Sequence, residues 1–424
     1  MVHIGIDWGT QSSKSYIFDE GSGGPVLGPI IESALHHDTQ QDMIFFSKAK
    51  IPMEEITQPG RFEKSYPIKR QMIDNPNVSL WEGVMDDTNL TLGASIVFSL
   101  VAILRSAIAA AAIIDRTVIK EICFSFPNWS PSLDTGHDRS FRKFRQAARV
   151  AIQIATDGRY DHIDPQSGVH IPTFSGVVNA LRTAWEPNPL TIDKVTQLSD
   201  TLDIGISVNY LPESMASGFP YLLKLQSGHE YAFRLLVVDV GAGSTDIGYM
   251  IQNRKGPKDP FYIVYFKPAP ALNIAGIAIT NNVSRVFGIN SEEAEDRKIE
   301  LSTTNRLSQA IPYVAQEWIP AIANTARDYV ASLRHHVLMD KREPVNVILT
   351  GGSSAVPGLL EEVLVKVEQG LGANPKKGSN SPRVALTARH ANIAILPGID
   401  VFETGRRSVS VGAGQPNKSR MIFE

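Results

Sequence analysis

One pattern occurs twice in this chain. Residues 4–18 read IGIDWGTQSSKSYIF and residues 237–250 read VVDVGAGSTDIGYM. Superposing Asp7 on Asp239 places Gly9 on Gly241 and Ser12 on Ser244, with an apolar strand before each aspartate and an apolar run after each turn. Each copy is one supersecondary unit that must be built the same way, so the repeat restricts the fold more than composition can. The unit reads as a β-hairpin whose tight turn carries small polar residues, where glycine supplies backbone freedom that other residues lack.

A third glycine turn, Thr350-Gly351-Gly352-Ser353-Ser354, follows a strand over 345–349 and opens a helix. Val356, Leu359, Leu360, Val363, Leu364 and Val367 form its apolar stripe, and Gly370 is placed to end it. Between these landmarks the pattern predicts a helical stretch over about 90–115, a strand over 118–126 closed by Pro127, and a helix over about 138–155. A strand over 204–210 leads into Leu211-Pro212-Glu213-Ser214, and a helical pattern resumes at Ala216. A late helix steps through Val314, Trp318, Ile322, Ala326, Val330, Leu333 and Val337, with Pro320 expected to bend it. Alternating strands and helices argue for an α/β fold, and the repeat for two similar lobes, 1–210 and 211–424, with a cleft between them.

The length, 424 residues, accommodates two such lobes at about 150 residues per domain or somewhat more. With 41 basic and 44 acidic residues the formal charge is −3, which supplies no overall drive toward nucleic acid or an anionic membrane. Cys123 is the only cysteine, so an intramolecular disulfide and a thiolate zinc site are excluded and a reducing, cytoplasmic location is expected. The first residues look like a strand rather than a signal peptide. Leu90 to Ile114 is long and apolar enough to raise a membrane span, but Arg105 near its middle favours a buried helix of a soluble protein.

Either Asp-x-Gly turn alone is an ordinary hairpin turn. Two of them facing one another would offer backbone N–H donors and hydroxyls to a polyphosphate. The paired carboxylates suit magnesium, which prefers oxygen ligands and keeps its waters, so Asp7 and Asp239 would act through water rather than by direct ligation. The same arrangement could orient an attacking water.

With these motifs in place, the chain resembles the superfamily of actin, DnaK-type chaperones and sugar kinases, and most closely the DnaK-type ATPase domain. IGIDWGTQSS is similar to its first phosphate motif, VVDVGAGSTDIG to its second and VILTGGSSAVPGLLEEV to its adenosine motif, in the family's order. ICFSFPNWSP and YLPESMASGF resemble the strand with a proline turn and the first connecting motif. The resemblance implies a two-lobed actin-like ATPase with duplicated ribonuclease-H-like cores and a nucleotide cleft between them, binding ATP or ADP with magnesium. It implies that Asp7, Glu213 and Asp239 are catalytic, Glu213 facing hydrated magnesium and relaying nucleotide state. Gly9, Thr10 and Gln11 of the first turn and Gly241, Ala242, Gly243 and Ser244 of the second would hold phosphates. Gly351, Gly352, Ser353 and Ser354 would lie against the adenosine, and Glu295 and Lys298 against adenine and ribose. In the second connecting motif, residues 275–280, Thr280 stands where an acidic residue is usual, and the family's catalytic lysine has no secure counterpart among Lys50, Lys64 and Lys69.

About 50 residues follow the adenosine motif and its helix, so a separate peptide-binding domain is not expected. The expected role is therefore an ATP-binding and ATP-hydrolysing, chaperone-like switch that passes its output to a protein partner on another chain, with no nucleic acid or membrane partner. Its rivals are a filament-forming actin-like protein, for which self-association is possible, and a small-molecule kinase, for which only Asp134 offers a base after Phe126. The basic cluster Arg139, Arg142, Lys143, Arg145 and Arg149 reads as a solvated helix face, and His36-His37 and His335-His336 read as surface histidines.

Overall fold

The computed structural model describes residues 1–10, 12–21, 25–46, 62–65, 80–83, 89–126, 139–183, 198–201, 205–225, 233–253, 262–266, 268–333, 345–371, 409–413 and 421–423. The fold is mixed α/β. Two compact units divide the chain: the first is Met1–Leu211 with Ala413–Pro416, the second Pro212–Gly412 with Asn417–Glu424.

In the first unit β1 (Val2–Asp7) and β2 (Ser12–Asp19) form an antiparallel hairpin, in register from Val2 opposite Asp19 to Asp7 opposite Lys14. All six residues of β1 are buried, which fits a continuous apolar strand in mid-sheet. The short strands β3 (Pro25–Leu27) and β4 (Ile31–Glu32) follow, then β5 (Leu35–Asp38), β6 (Met43–Phe46) and β7 (Phe62–Ser65). The helix α1 (Leu92–Ala110) is capped by the Thr91 hydroxyl, which accepts from the Ala94 N–H at 3.1 Å. It is apolar all round and buried along nearly its whole length, as such a helix must be in a globular core. Arg105 explains its own presence there: its guanidinium donates to the carbonyls of Ile154, Tyr160 and Asp161 at 3.1, 2.7 and 3.1 Å.

After α1 come β8 (Ile119–Phe126), α2 (Arg139–Thr156), β9 (Val169–His170), α3 (Ile171–Thr183), β10 (Leu198–Thr201) and β11 (Ser207–Pro212). The main sheet runs β10-β11-β8-β1-β2-β3, with β4 on β2, and β8 lies parallel to β1. A second sheet has the order β7-β5-β6-β9. Two sequence expectations fail here. His36 and His37 are 5% and 6% exposed, because β5 is covered on both faces, and Arg145 is 3% exposed with its guanidinium 5.9 Å from the Tyr210 ring centroid. His335, His336, Lys50, Lys69, Pro127 and Asp134 lie outside the described residues, and of Lys64 only its place in β7 is described.

The second unit opens on α4 (Glu213–Leu225), followed by the antiparallel hairpin β12 (Phe233–Val240) and β13 (Thr245–Asn253), then β14 (Tyr262–Tyr265). Helices α5 (Gly276–Phe287) and α6 (Ser291–Thr303) come next. Gly288, at φ 65°, ends α5, and Asn290 with Glu293 forms a capping box on α6. Around Pro320 a π-helical turn, Val314–Trp318, runs directly into α7 (Ile319–Leu333), so the N–H that Pro320 lacks falls where the regular hydrogen-bond ladder has already shifted. Then come β15 (Asn346–Thr350), α8 (Leu359–Gly370) and β16 (Met421–Phe423), giving a sheet β15-β12-β13-β14-β16 with β15 parallel to β12.

Candidate functional site

The two hairpins coincide in detail. Asp7 is the last residue of β1 and Asp239 the last but one of β12, opposite Lys14 and Asp246 respectively, positions separated by the same offset in both copies. Both turns are tight at the glycine: a Cβ on Gly9 would lie 2.1 Å from the Ser12 carbonyl oxygen, which excludes a side chain, and one on Gly241 would crowd that of Ser244 at 3.1 Å. In each unit a later strand, β8 or β15, lies parallel to the strand that carries the aspartate.

The first turn is anchored by the residue between Asp7 and Gly9. Trp8 is 2% exposed and stacks on Phe144 of α2 at 5.6 Å, so the aspartate hangs from a rigid core. Asp7 is buried and accepts from the Lys14 ammonium at 3.1 Å. Thr10 is also buried, and Gln11 lies outside the described residues.

The second turn is held from three sides. The Gly241 N–H donates to the Ser244 carbonyl at 3.0 Å, so that amide closes the turn instead of facing a ligand. The first amides of α5 grip it from below: the Gly276 N–H reaches the Gly241 carbonyl at 3.0 Å, and the Ile277 N–H that of Ala242 at 2.8 Å. The Ser353 N–H binds the Val240 carbonyl at 3.0 Å. Gly243 is buried, and the Ser244 hydroxyl donates to Asp246 at 3.0 Å.

Two glycines are explained by what surrounds them. Gly351 has φ 88°, and a Cβ there would meet the Val240 carbonyl oxygen at 2.4 Å and Asp239 Oδ1 at 2.6 Å. The Asp239 carboxylate therefore lies over the third glycine turn. At Gly276 a Cβ would strike Ser353 Oγ at 2.2 Å. Gly352 meets nothing of the kind, and Ser354 turns back to donate to the Gly351 carbonyl at 2.8 Å.

Glu295 and Lys298 come together on α6, where the ammonium lies 2.6 and 2.7 Å from the two carboxylate oxygens. Thr280 of α5 joins them. Its hydroxyl oxygen accepts from Lys298 at 3.1 Å and lies 2.6 Å from Glu295 Oε2. Thr280 is thus tied to a carboxylate of the next helix. Lys298 is 8% exposed and committed to these partners. Glu213 opens α4 and is buried at 7% exposure, not the solvent-facing helix-start carboxylate that a lone Pro-Glu suggests. On the same helix Tyr221 has its pKa pushed up by burial and, to a lesser degree, by the Asp239 charge.

Asp7, Gly9 and Thr10 thus share the first unit with Lys14. In the second, Asp239, residues 241–244, Gly351 and Ser353 form one assembly, and α5 links its underside to Glu295 and Lys298. Lys14, Asp246 and Thr280 were missed as site residues. The first two were within reach: four turn residues fix the hairpin register, which puts position 14 opposite 7 and 246 opposite 239.

Among the described residues no group of three or more His, Cys, Asp or Glu side chains converges as a metal site. Magnesium does not need one, since one or two carboxylates and waters suffice. The donor set at the second turn fits that requirement: two aspartates oppose each other on neighbouring strands, and the Thr350 hydroxyl beside them is fully buried without a hydrogen-bond partner. No family model and no curated protein matches the sequence. The structure defines a mixed α/β protein that builds one Asp-x-Gly hairpin twice, each time with a parallel third strand.

Proposed function

We propose that the chain is a two-lobed actin-like ATPase that binds ATP or ADP with magnesium and acts as a nucleotide-dependent switch for a protein partner. The observation that carries this reading is the duplicated hairpin, aspartate at the same register and glycine turn included, with β8 and β15 alike parallel to it. A lone hairpin turn needs no ligand; a repeated buried aspartate beside a glycine turn suits one with many oxygens.

In this reading Lys14 supplies the positive charge for a phosphate oxygen, exchanging Asp7 for it when nucleotide enters. Asp7 and Asp239 orient water, Ser244 and the turn backbone meet phosphate oxygens, and the Gly351 turn lies against the adenosine. Magnesium, when bound, neutralises phosphate charge. Thr280 and Glu295 fix Lys298 and thereby the adenosine side of α6. The test is calorimetry of the folded protein with ATP, ADP and magnesium. Saturable heat supports the reading, and the absence of both heat and any thermal shift overturns it.

A further inference from the structure

Each hairpin aspartate has a buried hydroxyl beside it that finds no hydrogen-bond partner in the protein. In the second unit Thr350 pairs with Asp239 across the parallel strands, is 0% exposed, and its Oγ1 is unpartnered. In the first unit Phe124 pairs with Ile6, so the next residue, Ser125, stands beside Asp7; it is 1% exposed and its Oγ is likewise unpartnered. Neighbours across a parallel pair present their side chains to the same face of the sheet. A buried hydroxyl without a partner is costly, and alanine or valine would fill either place without that cost. The same cost at equivalent positions of two units with unlike local sequences, ICFS and VILT, points to a use in another state of the protein.

We propose that Ser125 and Thr350 are positioning residues for Asp7 and Asp239. Their hydroxyls take up hydrogen bonds to the aspartates, or to the waters these share with magnesium, only when magnesium nucleotide is bound. The inference rests on the nucleotide reading above. A hydrogen bond gained only in the loaded state is a differential interaction, and it shifts the equilibrium toward that state. The two aspartates are thus backed by neutral donors that add no charge to the site, and each donor is held by a strand rather than a loop.

The experiment uses the full chain with Thr350→Val, Ser125→Ala and the conservative Thr350→Ser. Two quantities are read: the melting temperature without nucleotide, and the nucleotide affinity with magnesium and with a chelator in its place. Thr350→Val and Ser125→Ala should melt no lower than the parent. Each should bind magnesium–ATP about 10-fold more weakly, equivalent to about 1.4 kcal/mol. Affinity for metal-free ATP should not change, and Thr350→Ser should restore the magnesium-dependent part. Parental magnesium–ATP affinity in both hydroxyl-deleted variants overturns the inference and leaves the nucleotide reading standing. So does a lower melting temperature, which would mean a structural partner, or a failure of Thr350→Ser to restore binding. If the parent itself binds no nucleotide, both the inference and the reading beneath it fall.

Discussion

Lys14 separates two hairpins that are otherwise alike. Opposite Asp7 it makes an ion pair with both side chains largely buried, whereas Asp246 puts a second carboxylate opposite Asp239. Asp7→Asn strips Lys14 of its counter-charge and should lower the melting temperature. Asp239→Asn is its counterpart in the second hairpin. Both should slow ATP hydrolysis by about 10-fold or more, equivalent to at least about 1.4 kcal/mol of transition-state stabilisation. Parental turnover in both variants would make these residues turn formers only. At the far end of β1, His3 is flanked by Glu121 at 2.9 Å on Nδ1 and Glu20 at 3.2 Å on Nε2. A neutral ring has one N–H, so only the imidazolium donates to both. The Glu121 hydrogen bond, opposed by burial and aided by Glu20, raises the His3 pKa above its ordinary 6.5. Its stabilisation is complete below 6.5 and is lost as pH rises through the higher folded-state value. Melting temperature should therefore fall with rising pH across this part of the range between about pH 5 and 8, and His3→Gln should remove that component. An identical pH profile in His3→Gln would show that the pair contributes nothing.

Helices α5 and α6 show how an element couples the turn to a charge cluster. The start of α5 is bound to the turn carbonyls, and one helical turn further on Thr280 meets Glu295 and Lys298 of α6. Removing Glu295 leaves a lysine with 10% of its side chain exposed and no carboxylate, which in a fully buried pair costs about 3–5 kcal/mol. Glu295 retains 24% exposure, so Glu295→Ala should cost less than that, and adding Lys298→Met should recover much of the loss. Denaturant unfolding of the single and double variants measures it; equal stabilities would mean the pair is solvent-screened. Elements of this sort differ in how plainly the sequence announces them. The helix around Leu92–Ala110 and the strand Ile119–Phe126 were legible because apolar runs of those lengths have few other solutions. The triad was not, because Thr280 and Glu295 lie on different helices and only α5–α6 packing makes them neighbours. The burial of His36 and His37 was hidden for a related reason: adjacent residues of a strand face opposite sides, so it depends on β5 being covered on both faces, which adjacent histidines do not signal.

At the scale of the molecule the repeated hairpin produces two separate cores among the described residues. One runs from Val2 to Tyr210 and includes α1 and α2; the other runs from Leu236 to Val367 and includes α7 and α8. The repeat itself was readable because its strands are continuous and its turns short, and β8 and β15 were readable as strands, while their parallel pairing with the two hairpins, at different distances along the chain, required the fold. Separate cores imply separable unfolding, since cooperativity follows shared buried contacts. Scanning calorimetry should resolve two transitions. Ile122→Val on β8 and Ile322→Val on α7, both fully buried, should each lower one transition by about 0.5–1.5 kcal/mol and leave the other in place. Those variants assign the transitions to units, and nucleotide then distinguishes how it is held. A ligand that binds only folded protein stabilises what it touches by about 2.7 kcal/mol at about a hundredfold excess over its Kd. If one magnesium–ATP engages both hairpins, as the proposed ATPase requires, both transitions should move upward and draw together. Should only the Ile322-sensitive transition move, the nucleotide is held by the second unit alone and Asp7 and Lys14 have no part in its binding.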